Sequence, residues 1–244
     1  MTIRIAMWSG PRNISTAMMR AFENRPDTAV SDEPFYAAYL AGTGLDHPMR
    51  EEVLAAQPND WREVAAAMRG EAPGGAAVWY QKHMCHHMLP GFGLEWMDAC
   101  RHAFLIRPPE QVLASYTAKR AEVTLEDIGV VRQAELFDRV ADSLGHAPPV
   151  IEGAAVLADP RGTLSALCAA LGVPFDKAML SWPAGRRESD GVWAPAWYDA
   201  VERSTGFAPP SPATRFEDLA GHLKPIAEAA RPYYERLAGH RIGG

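Results

Sequence analysis

The sequence predicts an α/β fold: one domain over residues 1–244, a three-layer sandwich with helices on both faces of a central parallel sheet. Short apolar runs at five places alternate with segments of helical spacing, and strands separated by helices pair in parallel. The first run passes through Ser9-Gly10-Pro11 directly into a helical pattern, a strand–turn–helix unit. The composition, 48% hydrophobic and 22% charged over 244 residues, is that of a globular chain able to bury a sizeable core.

Residues 3–22 read IRIAMWSGPRNISTAMMRAF, with Ile3, Ile5, Ala6 and Met7 in the strand and Met18, Ala21 and Phe22 on one face of a helix starting near Ser15. The turn cluster Asn24-Arg25-Pro26-Asp27 ends that helix, and a strand over 28–31 delivers Asp32-Glu33-Pro34-Phe35. The signal from 36 to 75 is mixed, with helical spacing over 60–69 and a Pro-Gly-Gly break after it. A strand over 76–81 feeds Lys82-His83-Met84-Cys85-His86-His87, and a helix around 94–100 precedes a strand over 102–106 that ends in Arg107-Pro108-Pro109. Proline suits a first helical turn, so Pro109 opens the helix carrying Val112, Leu113 and Tyr116. A long amphipathic helix is expected over 124–144, with Thr124-x-x-Asp127 as its capping box. Val150-Ile151 is a fifth short strand, and Asp159-Pro160 starts a helix that stops at Gly172. Residues 179–212 have little periodicity but contain Trp182, Trp193 and Trp197, which need a surface to pack on; they predict an irregular cover. A helix over 217–237 closes the chain.

Several function classes are disfavoured by composition. No apolar run is long enough to span a bilayer, and polar and charged residues stand where a signal peptide needs its apolar core, so a cytoplasmic protein with no membrane span is expected. Cys85, Cys100 and Cys168 form no CxxC and no even set, which predicts neither a disulfide framework nor a zinc ribbon. The formal net charge of −6 argues against a general nucleic-acid binder.

The opening unit has the layout of a phosphate cradle. Unpaired N–H groups at a helix start, with the helix dipole, attract an anion held in the preceding turn, and Arg12 adds a full positive charge. An ordinary first β-α unit has the same turn. The Walker A loop does not fit, because Ser15 and Thr16 stand where it needs glycine and lysine.

Pro11-Arg12-Asn13-Ile14-Ser15-Thr16 instead resembles the 5′-phosphosulfate loop of the sulfotransferase family, written PKSGTT or PRSGTT. Arg107 and Ser115 stand eight residues apart, like the arginine and serine that bind the donor's 3′-phosphate in that family. The stretch VIEGAAVLADPRGTLSALCAALGVPF is similar to its acidic residue, Asp-Pro helix start and Leu-Gly-Val-Pro ending. These likenesses span roughly residues 1–175 in family order and point to a bacterial-type branch. The resemblance implies the P-loop NTPase-like sulfotransferase fold, 3′-phosphoadenylyl sulfate (PAPS) as donor, a small-molecule hydroxyl or amine as acceptor, and no metal. Arg186 and Arg187 occupy about the place of the family's Arg-Lys-Gly loop on the same 3′-phosphate, although Glu188 and Asp190 could equally neutralise them. Two departures stand out: Arg12 replaces the commoner lysine, and Ile14 replaces the usual glycine.

Sulfuryl transfer places negative charge on the oxygen that stays with the donor phosphate, which Arg12 and the helix start at Ser15 and Thr16 would stabilise. The acceptor must lose a proton, and two residues offer a base. Glu33 follows the second strand in Asp-Glu-Pro-Phe, which looks like the Glu-Pro-Phe of bacterial members; a turn acid before proline is its ordinary alternative. His83 is the second, in Lys82-His83-Met84, out of register with the Lys-Thr-His of cytosolic members, and ranks below Glu33. Lys82 would reach the sulfuryl oxygens or lie at the surface. The cluster His83, Cys85, His86 and His87 lacks the glutamate and the distant pair of a zinc site, which favours packing or acceptor binding. The competing functions are a small-molecule kinase using ATP and a catalytically silent nucleotide-binding regulator.

Overall fold

The computed structural model describes residues 2–118, 122–210 and 212–243. Five strands form one sheet: β1 (Ile3–Ser9), β2 (Thr28–Asp32), β3 (Val78–Met84), β4 (Arg101–Ile106) and β5 (Val150–Glu152). Their order is β2-β3-β1-β4-β5, with every pairing parallel. The helices are α1 (Ser15–Glu23), α2 (Tyr36–Thr43), α3 (Arg50–Ala56), α4 (Trp61–Arg69), α5 (Pro109–Thr117), α6 (Val130–Leu144), α7 (Gly153–Ala158), α8 (Pro160–Ala170), α9 (Ala194–Trp197), α10 (Asp199–Glu202) and α11 (Lys224–Ala238). No helix among the described residues is long and apolar enough to cross a membrane.

The three layers follow from alternation along β1. Ile5 and Met7 face α1, α7 and α8, where they pack with Met18, Phe22, Val156 and Leu164. Ala6 and Trp8 face the other way, toward Val64 of α4, Phe137 of α6 and Leu237 of α11. Both faces of the strand are buried, as a central parallel strand requires.

Some boundaries differ from the sequence reading for local reasons. Thr124 and Asp127 do bond reciprocally, Thr124 N–H and Oγ1 to Asp127 Oδ2 at 2.8 and 3.0 Å, but they close a turn. The helix starts afresh at Val130, because Gly129 takes φ 67° ahead of it. The last helix begins at Lys224, beside Pro225, after two single 3₁₀ turns. The segment around 94–100 is a 3₁₀ turn over Glu95–Ala99, and the mixed region holds α2 and α3. Strand β3 runs three residues past 81, to Met84, which carries Lys82 and His83 onto opposite faces of the sheet.

Gly10, at the end of β1, has a role other than backbone freedom. A Cβ built there would lie 2.6 Å from the Ile128 carbonyl oxygen, so the loop entering α6 can lie against the β1 turn only if residue 10 has no side chain. Gly10→Ala is therefore expected to lose about 1–3 kcal/mol of stability in urea unfolding, as overpacking against a fixed backbone does.

Candidate active site

All five strands deliver residues to one cavity of about 610 Å³ at their C-terminal ends, where open α/β sheets bind ligands. The β1–α1 loop supplies Pro11, Arg12, Asn13, Ser15 and Thr16; β2 leads to Glu33; β3 presents Lys82 and Met84; β4 leads to Arg107; and β5 leads to Gly153. Ser115 from α5 and Trp197 and Tyr198 from the cover close its sides.

At one end the protein leaves positive charge unpaired. Arg12 Nε donates to Ser115 Oγ at 3.1 Å, while Arg107 donates from Nη1 to the Arg12 carbonyl oxygen at 2.5 Å and from Nε to Gln111 Oε1 at 3.4 Å. Neither guanidinium has a carboxylate partner among the described residues. Burial lowers the pKa of Arg12, and burial together with the Arg12 charge lowers that of Arg107. Helix α1 starts beside them with no side-chain cap and no acid in its first turn, so its leading N–H groups are open too. Asn13 donates to the Leu105 carbonyl oxygen at 2.7 Å, but its buried Oδ1 has no partner. The two arginines without a carboxylate, at the open start of α1, are the arrangement an anion completes.

The loop is strained there. Arg12 and Ile14 have φ 58° and 48°, in the left-handed region, where a β-branched residue is an outlier. A glycine at position 14 would meet this turn without strain, so Ile14 carries a backbone conformation that suits glycine. Glu33 is left-handed as well, at φ 43°. Its N–H donates to the Lys82 carbonyl oxygen at 2.9 Å, and its own carbonyl accepts from Tyr36 N at 3.0 Å and Gln57 Nε2 at 3.2 Å. Three hydrogen bonds hold a conformation the residue would not choose alone, as strained functional positions require.

At the other end the charges are paired. Lys82, with its side chain 1% exposed, donates to Asp32 Oδ1 at 2.7 Å, Glu33 Oε1 at 2.6 Å and Tyr198 OH at 2.7 Å. Burial alone would discharge the ammonium, but Asp32 and Glu33 outweigh it and raise its pKa well above the ordinary value. Burial is also the main influence on Glu33 and raises its pKa, against the pull of Lys82. An ammonium has three N–H groups, and all three are used, so Lys82 does not also reach toward sulfuryl oxygens as one sequence reading had it.

Two further expectations are corrected. His83 does not line the cavity: side chains alternate along β3, so it points to the sheet's other face. There it stacks on Trp8 with ring centroids 4.7 Å apart and meets Gln81 Oε1 at 3.2 Å. Burial, helped by His102, pushes its pKa down to about 3. Arg186 and Arg187 are not at the cavity either: Arg186 is exposed, and Arg187 turns back to the Pro183 carbonyl oxygen at 3.2 Å. Asp190 pairs with buried Arg20 at 2.6 Å, which pins the cover to α1. The tryptophans divide their work: Trp182 and Trp193 are buried, and only Trp197 lines the cavity.

Sequence reasoning missed Asp32 and Tyr198. Asp32 adjoins Glu33 and its acidity was visible, but Tyr198 lies 116 residues from Lys82 in a segment without periodicity. His87 was seen only as part of a histidine cluster; it stacks on Tyr36 at 4.6 Å and lies 3.9 Å from Glu33 Oε2. Among the described residues no three His, Cys, Asp or Glu side chains form a metal-ligand group.

Removing Lys82 leaves two buried carboxylates without a counter-ion. Lys82→Met is expected to lose about 3–5 kcal/mol in urea unfolding at neutral pH. The loss should shrink as the pH falls, because Glu33 without the ammonium takes up a proton more readily. In the wild type, the raised Lys82 pKa contributes stability that is fully present below about pH 10.4, the ordinary lysine value, and fades as pH climbs through the folded value.

Comparison with known proteins identifies the family and the fold. The family described as Sulfotransferase domain matches residues 3–239. Two curated Arabidopsis thaliana proteins are similar in sequence. Branched-chain-amino-acid aminotransferase-like protein 1 is 37% identical over 97% of this chain and 42% of its own length. Its counterpart, protein 2, is 34% identical over 97% of this chain and 41% of its own. The chain thus spans about two fifths of these relatives. Among solved structures, a sulfotransferase from Alicyclobacillus acidocaldarius superposes with TM-score 0.59 at 14% identity, covering 99% of this chain and 97% of that one. The sulfotransferase domain from the curacin biosynthetic pathway does so with TM-score 0.56 at 17% identity, covering 95% and 98%. With the family matched over nearly its whole length, the chain belongs to the sulfotransferase domain family.

Proposed function

We propose that this chain transfers a sulfuryl group from 3′-phosphoadenylyl sulfate to a hydroxyl or amine of a small-molecule acceptor. The observation that carries the reading is the pair Arg12 and Arg107: two half-buried guanidinium groups with no carboxylate between them, at the uncapped start of α1. When bound, the donor supplies the sulfuryl group and leaves as adenosine 3′,5′-bisphosphate. Arg107 and Ser115 hold the 3′-phosphate; Arg12, sharing Ser115, bridges from that site to the loop. The N–H groups at Ser15 and Thr16 face the 5′-phosphosulfate, where negative charge grows. Glu33 takes the acceptor's proton through Oε2, while the acceptor oxygen or nitrogen forms its bond to sulfur and the bond from sulfur to the donor phosphate breaks. A carboxylate whose pKa is raised by burial is a stronger base than an exposed one. The reading invokes no metal. It describes a cytoplasmic enzyme whose partner is the small acceptor, in keeping with a net charge of −6 that disfavours nucleic acid.

The names of the plant relatives raise a transaminase alternative, which needs a lysine amine free to form a Schiff base. The cavity's lysine is Lys82, and its ammonium is held by two carboxylates and a phenol. That supports the sulfotransferase reading instead.

Adenosine 3′,5′-bisphosphate at a hundredfold excess over its Kd is expected to raise the thermal midpoint by roughly 5–10 °C, and ATP with magnesium is not. Arg107→Ala should abolish the shift; stabilisation by ATP alone would overturn the assignment in favour of a kinase. Glu33→Gln should keep the shift yet lower kcat by about 10²–10⁴ with PAPS and a panel of phenol, alcohol and amine acceptors. Equal turnover by wild type and variant would remove Glu33 as the base.

A further inference from the structure

Glu33 has two carboxylate oxygens in different surroundings. Oε1 accepts from Lys82 at 2.6 Å, whereas Oε2 accepts no hydrogen bond among the described residues and lies 3.9 Å from His87 Nδ1. The asymmetry is built by Asp32 and Tyr198, of which Asp32 raises the Glu33 pKa through its charge and Tyr198 lowers it through its hydroxyl. Asp32 Oδ1 takes the second Lys82 N–H at 2.7 Å and Tyr198 OH takes the third at 2.7 Å. The Tyr198 hydroxyl in turn donates to Asp32 Oδ2 at 2.7 Å and accepts from Trp193 Nε1 at 3.1 Å. The Gly191 N–H reaches the same Asp32 oxygen at 3.1 Å. The network is closed: every Lys82 proton is committed, and the open position is Glu33 Oε2.

We propose that Asp32 and Tyr198 are positioning residues for Glu33, which confine the Lys82 ammonium to Oε1 and leave Oε2 as the oxygen that receives the acceptor's proton. This rests on the reading of Glu33 as base. One ammonium divided between two carboxylates neutralises neither fully, so Glu33 keeps a proton affinity that an exclusive ion pair would suppress. Without the Tyr198 hydroxyl, one Lys82 N–H and one Asp32 Oδ2 lone pair are freed together, and the ammonium is no longer confined to Glu33 Oε1. Without the Asp32 charge, the ammonium belongs to Glu33 alone. The charged and titratable groups around Glu33 are Lys82 from β3, Asp32 from β2, Tyr198 from the cover and His87 from the turn after β3. Burial first, and its histidine and lysine neighbours after that, hold His87 neutral, so it does not compete with Lys82 as a cation.

Gly191, Trp193 and Tyr198 all belong to the cover, so the base is complete only with the cover docked. The Arg20–Asp190 pair, with both side chains buried, anchors the same segment on α1. The tyrosine therefore ties the cover to the Lys82–Glu33 pair.

The test is a ¹³C NMR titration of protein labelled at the glutamate carboxyl carbons, with the Glu33 resonance assigned from Glu33→Gln. Wild type is compared with Tyr198→Phe, which keeps the ring, and with Asp32→Asn. In Asp32→Asn the Glu33 midpoint is expected to fall by about one pH unit, the size of one neighbouring charge, and in Tyr198→Phe it is expected to move away from the wild-type value. Affinity for adenosine 3′,5′-bisphosphate should stay unchanged. With PAPS and the acceptor panel, kcat should drop more than KM changes, and the acid limb of its pH profile should follow the Glu33 midpoint of each variant. A Glu33 midpoint that stays put in folded Tyr198→Phe overturns this proposal alone. Wild-type turnover by Glu33→Gln overturns the base reading, and the proposal with it, whatever the titrations give.

Discussion

A lysine ammonium taken out of water at the end of β3 is the constraint to which one half of the site answers. Isolated, it would cost several kcal/mol, so the fold must surround it with acceptors. Asp32 at the end of β2, Glu33 in a left-handed conformation and Tyr198 from the cover converge on it within 2.7 Å. That convergence also accounts for the cover. A segment of short helices and turns has little secondary structure to order it. It is held by what it docks on: Lys82 and Asp32 at one point and Arg20 at another.

The other half of the cavity is organised on the opposite principle. Arg12 and Arg107 are partly desolvated, which lowers the proton affinity of both, and the Arg12 charge lowers that of Arg107 further, with no carboxylate among the described residues to relieve either. The start of α1 is left uncapped beside them. The free energy of satisfying these groups is left for a ligand, so binding and stability are linked there. Backbone strain follows the same map. Arg12, Ile14 and Glu33, three of the four non-glycine residues with positive φ among the described residues, all line the cavity. The packed sheet and the flanking helices hold these turns against their preference.

Much of this was legible in the chain because it depends on local order. The strand–turn–helix order of residues 3–22 and the eight-residue spacing of Arg107 and Ser115 are local features, and the structure brings Arg12, Arg107 and Ser115 to one end of the cavity. Positions whose role depends on which way a side chain faces were not legible. His83 and Lys82 are neighbours in sequence, yet one is packed on Trp8 and the other lines the cavity, because β3 continues past the point where its apolar pattern ends. Arg186 and Arg187 have the right charge in the right order, but their loop is turned outward by the Asp190 contact to Arg20.

By itself, then, the sequence determined the α/β layering and the order in which the β1–α1 turn and the strand-end arginine fall, since period and spacing are local properties. The tertiary structure alone decided which carboxylate oxygen is left open, which histidine is core, and that a tyrosine 116 residues from Lys82 completes its coordination. Those outcomes depend on distances between segments remote in the chain, and only packing sets such distances.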